Sequence, residues 1–186
     1  MAPEHPHARR EERNKNNGTC RCRRSLGASD GGSKRNTMKR IILSGGGTGG
    51  HIYPAVAVAE ALRRRFGEEV ELLFVGAEGK MEMEKVPALG YRIVGLPIAG
   101  LQRRLEWRNL LVPFKVLRSI RQARNVIRSF GADVVVGFGG YASAPVLWAA
   151  QRMGVPTVIQ EQNSYAGVTN KILARGACRI CTAYEG

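Results

Sequence analysis

An apolar run that passes through a glycine-rich turn into a helix-forming segment fixes most of what this 186-residue chain can become. The run is Ile41-Ile42-Leu43, the turn extends from Gly45 to Gly50, and Pro54 introduces the helix-forming residues 55–65. Branched apolar side chains at consecutive positions suit a strand buried on both faces, as in a parallel sheet. Proline suits a first helical turn, so the helix is expected over 54–66. Between them the glycines lack Cβ atoms, and backbone N–H groups can approach an anion at the positive end of the helix. Phosphate or diphosphate is the ligand such a turn accommodates.

The glycine spacing alone is compatible with several chemistries. Gly45-x-Gly47-x-x-Gly50 satisfies the dinucleotide fingerprint, so a Rossmann-type nicotinamide-dinucleotide-binding module is the alternative reading. Against it, the next apolar run, 70–75, leads into Gly76-Ala77 without a ribose-binding acid at its tip, and Glu78 lies too far on. A triphosphate-binding loop needs Gly-Lys-Ser/Thr after its glycines, where this chain has Gly49-Gly50-His51.

From Met38 onward apolar runs alternate with helical segments, the mark of right-handed βαβ units. Strands are expected over 40–44, 70–75, 91–96, 133–137, 156–160 and 179–183, and helices over 54–66, 80–89, 107–129, 144–153 and 167–175. Gly67, Gly90, Gly131 and Gly154 stand where helices should stop. The fold class is α/β, a doubly wound parallel sheet, in which ligands bind outside the carboxyl ends of the strands. The loops after strands one, four and five should therefore converge. After strand four comes a second glycine turn, Gly137-Phe138-Gly139-Gly140-Tyr141-Ala142-Ser143, and two such turns suit a diphosphate. After strand five, Gln160-Glu161-Gln162-Asn163-Ser164 offers the hydrogen-bonding groups that bind sugar hydroxyls.

The formal net charge is +14. Residues 1–37 hold nine basic against four acidic side chains, and the remainder holds twenty against eleven. Nucleic acid, an acidic membrane surface and a phosphorylated substrate all fit that balance. Nucleic acid ranks last, because aromatic side chains make up 6% of the chain and are not interleaved with the basic ones. Residues 1–37 have almost no large apolar side chains and are expected to be a disordered basic extension, with the folded unit starting at Met38. Cys20, Cys22, Cys178 and Cys181 sit at opposite ends of the chain without a secretory signal, which argues for a reducing compartment and against a disulfide framework or a zinc site. No metal or other cofactor is expected. No apolar run reaches the roughly 20 residues needed to cross a bilayer, so membrane contact should be peripheral.

Gly46-Gly47-Thr48-Gly49-Gly50-His51, Gly137-x-Gly139-Gly140-Tyr141, and Glu161-Gln162-Asn163 with Gly167-x-Thr169-Asn170-Lys171 carry a resemblance. Over residues 38–186 the chain resembles the amino-terminal lobe of the MurG family, hexosyltransferases of peptidoglycan synthesis. The resemblance implies a Rossmann-like lobe of a two-lobed glycosyltransferase B fold, with the carboxyl-terminal donor lobe absent from this chain, which then reads as a fragment. It implies transfer of N-acetylglucosamine, with inversion, from UDP-N-acetylglucosamine to the undecaprenyl-pyrophosphoryl-N-acetylmuramyl-pentapeptide, at the cytoplasmic face of the bacterial inner membrane.

Carried over by motif position, Gly47, Thr48, Gly49 and Asn163 would contact UDP-N-acetylglucosamine, and Gly50, Gly139, Gly140, Tyr141 and Gln162 the acceptor side. His51 falls on the family histidine proposed as base, with Glu161 as rival; an inverting transfer needs such a group to take the acceptor hydroxyl's proton. Gln160 stands where many relatives carry histidine. Over 107–128, Leu110, Phe114, Leu117 and Ile120 recur at helical spacing beside Arg118 and Arg121. That stripe is the expected contact with an anionic inner leaflet, while Val116 and Ile127 supply the core contact.

Overall fold

The computed structural model describes residues 38–98 and 112–184. The expected basic extension 1–37, Leu110 and the expected helix start at 107–111 lie outside the described residues. In chain order the elements are β1 (Lys39–Ser44), α1 (Gly49–Phe66), β2 (Val70–Ala77), α2 (Glu82–Ala88), β3 (Ile93–Leu96), α3 (Val112–Phe130), β4 (Val134–Gly137), α4 (Ser143–Met153), β5 (Thr157–Glu161), α5 (Val168–Leu173) and β6 (Arg179–Thr182). Single 3-10 turns, Gly67–Glu69 and Ala174–Gly176, follow α1 and α5.

All strand pairings are parallel, in the order β3-β2-β1-β4-β5-β6. The chain winds outward from β1 to β3, then crosses back through α3 to lay β4 on the other side of β1. This is the doubly wound sheet expected, and its topological switch point lies between β1 and β4. Consecutive β1 residues serve opposite layers: Ile42 belongs to a core with Ala123 and Ile127 of α3 and Leu147 of α4, and Leu43 to a core with Ile52 and Ala59 of α1 and Val86 of α2. Ile42, Leu43 and Val135 are all 0% exposed, as the apolar runs require of central strands. Burying each such side chain contributes about 1.5–3 kcal/mol. The four helix-stopping glycines all have positive φ, where any other residue would be strained.

Two local expectations are corrected. Helix α1 begins at Gly49, so Pro54 lies inside it rather than in its first turn. Extended Thr48 precedes the helix without a side-chain cap, Gly49 and Gly50 accept helical geometry, and Ile52, 2% exposed, draws the first turn into the core. The missing N–H of Pro54 leaves only the Gly50 carbonyl without its helical donor. In α3 the inward face is Ser119, Ala123, Ile127 and Phe130. Ile127 supplies the core contact expected of it, but Val116, a turn before the first of these residues, remains 37% exposed and does not.

Candidate functional site

The loops after β1, β4 and β5 meet at the carboxyl ends of the strands. At the first, the Ser44 hydroxyl donates to the Val75 carbonyl at 3.1 Å, and the chain reverses at Gly47, φ +88°. The Thr48 hydroxyl makes no capping bond to the helix and stands 2.9 Å from Nδ1 of His51, so Gly49 and Gly50 enter α1 without a side-chain cap on their N–H groups. Gly50 is exposed, and a Cβ there would meet only the Thr48 hydroxyl, at 3.8 Å. The start of α1 is thus open on the side of Gly50.

The second turn makes room for His51. Its Phe138 N–H donates to the Ser44 carbonyl at 2.8 Å, joining the two turns. Gly139 and Gly140 both have positive φ, +89° and +77°. A Cβ on Gly139 would stand 3.2 Å from Cδ2 and 3.3 Å from Nε2 of His51, and one on Gly140 would strike the Gly46 carbonyl oxygen. The Tyr141 ring lies over Gly47, leaving 2.7 Å between its Cε1 and a Cβ built there.

The third loop is organised by Glu161, 4% exposed. Its Oε1 accepts the Asn163 N–H at 3.0 Å and Asn163 Nδ2 at 2.9 Å, while its Oε2 accepts the Gly167 N–H and Asn170 Nδ2, both at 2.9 Å. Gln162 Nε2 donates to the Phe138 carbonyl at 3.2 Å, tying this loop to the second turn. Among the described residues, two buried side-chain acceptors, Gln162 Oε1 and Asn170 Oδ1, have no protein donor. The bond to Glu161 fixes which way the Asn170 amide faces, and both oxygens suit a hydroxyl or N–H brought by a ligand.

Burial lowers the His51 pKa below its ordinary value, although the charges of Glu161 and then Glu82 oppose the shift, so the ring is neutral near pH 7. Burial by itself would raise the Glu161 carboxyl, but its hydrogen bonds from Asn163, Gly167 and Asn170 outweigh that and hold it below the usual carboxylate value. Burial, with help from the Glu82 charge, raises the Tyr141 phenol.

The fold therefore brings together His51, Gly47, Thr48, Gly49, Gly50, Gly139, Gly140, Tyr141, Glu161, Gln162 and Asn163. It also brings in two residues that sequence reasoning did not assign to the site, Asn170 and Glu82. Asn170 belongs to the Gly167-x-Thr169-Asn170-Lys171 motif, whereas nothing in Met81-Glu82-Met83-Glu84 tells which carboxylate turns inward. The other expected group is separate: Phe114, Leu117, Arg118 and Arg121 border a hollow of about 430 Å³ on α3. Phe114 and Leu117 are 72% and 58% exposed, and Ile120 is half-buried. Among the described residues no helix is long and apolar enough to cross a membrane.

The Glycosyltransferase family 28 N-terminal domain matches residues 41–182. A protein of Porphyromonas gingivalis named "UDP-N-acetylglucosamine--N-acetylmuramyl-(pentapeptide) pyrophosphoryl-undecaprenol N-acetylglucosamine transferase" is 61% identical over 151 residues, 81% of this chain and 40% of the relative. One of the same name from Parabacteroides distasonis is 58% identical over 147 residues, 79% of this chain and 40% of the relative. The chain thus spans about 40% of the length of these curated relatives. The crystal structure of Acinetobacter baumannii MurG is 33% identical with a TM-score of 0.70, over 79% of this chain and 42% of that one.

Proposed function

The chain belongs to glycosyltransferase family 28, matching its N-terminal domain, and from that premise we propose that residues 38–186 are the acceptor-side lobe of a two-lobed hexosyltransferase of peptidoglycan synthesis. The reaction is transfer of N-acetylglucosamine from UDP-N-acetylglucosamine to the 4-hydroxyl of the lipid-linked N-acetylmuramyl-pentapeptide, with inversion. The donor lobe is the part of the relatives that this chain does not match. The observation that carries the reading is the neutral, half-buried His51, held between two glycine turns at the switch point of the sheet.

A neutral imidazole is the form a general base needs. When Nδ1–H donates to the Thr48 hydroxyl, the Nε2 lone pair is left for the acceptor hydroxyl. Nε2 takes that proton as the oxygen attacks the anomeric carbon from the face opposite UDP. The bond from that carbon to the diphosphate oxygen breaks, and UDP leaves with the electron pair. Glu161 is a poorer base, since both of its oxygens already accept N–H groups; its part is to hold Asn163 toward the donor sugar and Asn170 toward the cleft. Gly47, Thr48 and Gly49 serve the donor with Asn163. Gly50, Gly139, Gly140, Tyr141 and Gln162 line the acceptor side, where the uncapped start of α1 faces a diphosphate. The nicotinamide alternative is disfavoured because the domain matched over residues 41–182 is that of a glycosyltransferase; β2 runs to Ala77, so Glu78 stands directly at its tip, nearer than the sequence placed it.

The decisive assay replaces the matching segment of the Porphyromonas gingivalis relative with residues 38–186 and follows transfer to the lipid-linked acceptor. Transfer is expected, with His51→Ala lowering kcat by about 10²–10⁴-fold. A folded chimera without transfer, or an unchanged kcat in the variant, refutes the reading. The lobe alone should transfer little.

A polyprenyl acceptor requires work at a membrane surface, and Phe114 and Leu117 beside Arg118 and Arg121 support peripheral docking on the anionic cytoplasmic leaflet. Each basic residue there contributes up to about 1 kcal/mol, screened by salt. Arg118→Glu with Arg121→Glu should abolish salt-sensitive binding to anionic vesicles. Equal sedimentation with neutral vesicles contradicts this part of the reading.

A further inference from the structure

We propose that Glu82 is a positioning residue of this site: its buried carboxylate moors the first glycine turn to the end of β2 and so sets where Thr48, the Gly49 and Gly50 N–H groups and the His51 ring stand. The side chain is 0% exposed. Its Oε1 accepts the Ala77 N–H at 3.0 Å and the Gly47 N–H at 3.2 Å, and its Oε2 lies 3.4 Å from the same Gly47 nitrogen. Two glycines vacate the space it fills: a Cβ on Gly46 would strike Oε1, and one on Gly76 would lie 2.6 Å from Cγ. A recess lined by missing side chains and closed by two N–H donors is built for a carboxylate. Filling it with an apolar side chain would avoid the cost of burying a charge, so the carboxylate is there for its bonds.

The bond falls where the turn is decided. Gly47 is the residue at φ +88°, and fixing its N–H fixes the direction in which the chain enters α1. It also removes that N–H from the ligand-facing set, leaving the donors of Gly49 and Gly50. The charged groups facing His51 are Glu161, from β5, and Glu82, from α2, and both favour its protonated form against burial. Tyr141, over Gly47, faces Glu82 as a neutral phenol. Only the consequence for catalysis rests on the transferase reading; the mooring does not.

The test uses the full 186-residue chain, isotope-labelled, and reads amide exchange at Gly47 and Ala77 and the His51 ring titration by NMR. Glu82→Ala should speed both amides by about tenfold or more while the Ile159 amide of β5 keeps its protection. Glu82→Gln, which retains an acceptor oxygen, should restore the slow exchange yet still lower the His51 titration midpoint, since an anion has been removed. A folded Glu82→Ala with unchanged Gly47 exchange overturns the proposal, as does an unmoved His51 midpoint in Glu82→Gln. If Glu82→Ala fails to fold, the Glu82→Gln midpoint decides alone. Neither readout involves a sugar donor, so this test and the transfer assay fail independently.

Discussion

At the first glycine turn the chain reverses once, at Gly47, and enters α1 with Gly50 facing open space; at the second, Gly139 and Gly140 are closed over by the His51 ring and the Gly46 carbonyl. The Ser143 hydroxyl, 3.0 Å from the Gly140 carbonyl, tightens the second turn further. Both sequences look like anion cradles, and both precede a helix. Yet the first, filled by Glu82 at Gly46 and by Tyr141 at Gly47, still leaves Gly50 facing open space, whereas the second uses its missing side chains to admit a histidine from the first. The lesson is that a glycine pair states only that a side chain is not tolerated. What takes its place, a ligand or another part of the protein, is settled by the segment that packs opposite.

That contrast can be broken by adding a methyl group to each turn. Gly140→Ala should cost most, about 3 kcal/mol or more in chemical denaturation, because a positive φ and a backbone clash act together. Gly47→Ala should cost less, about 1–2 kcal/mol, since the obstructing atom belongs to a Tyr141 ring that can turn aside. Equal losses at the two sites would contradict the comparison. Gly50→Ala should have the opposite sign, raising stability by about 0.8–1 kcal/mol through helix propensity while weakening transfer in the chimera, because the methyl group crowds an exposed N–H. A gain in both stability and transfer would remove Gly50 from the acceptor site.

The smallest effects should appear in the pH dependence of stability. The folded His51 pKa is below its ordinary 6.5, so as pH falls through 6.5 the unfolded chain binds a proton that the native state does not, and stability declines. His51→Gln should flatten that slope. The folded Glu161 pKa is below 4.5, so its contribution is fully present above 4.5 and is lost as pH falls through the lowered folded value. Glu161→Gln should flatten only this lower window. Denaturant midpoints measured from pH 7 to 3 distinguish the two, and a single shared window would show that the turn and the loop titrate as one unit.

By itself the sequence determined the alternation of strands and helices, the glycine stops and the order of the three loops, because these follow from local periodicity and backbone freedom. The convergence of the loops after strands one, four and five was legible too, since ligands bind at the carboxyl ends of the strands in such a sheet, but the strand order β3-β2-β1-β4-β5-β6 was not. The start of α1 was not, because a proline preference was overridden when Ile52 drew the preceding turn into the core. Nor was the exposure of Val116, which depends on how far α3 runs before its first buried residue. Only the tertiary structure decided that Glu161 is saturated with hydrogen bonds, that His51 lies against Gly139 and Gly140, and that Glu82 rather than Glu84 turns under the first turn. Glu82 and Gly47 are separated by a helix and a strand along the chain. A buried charge is tolerated only where distant backbone donors converge, and convergence is a property of the sheet's winding rather than of any local pattern.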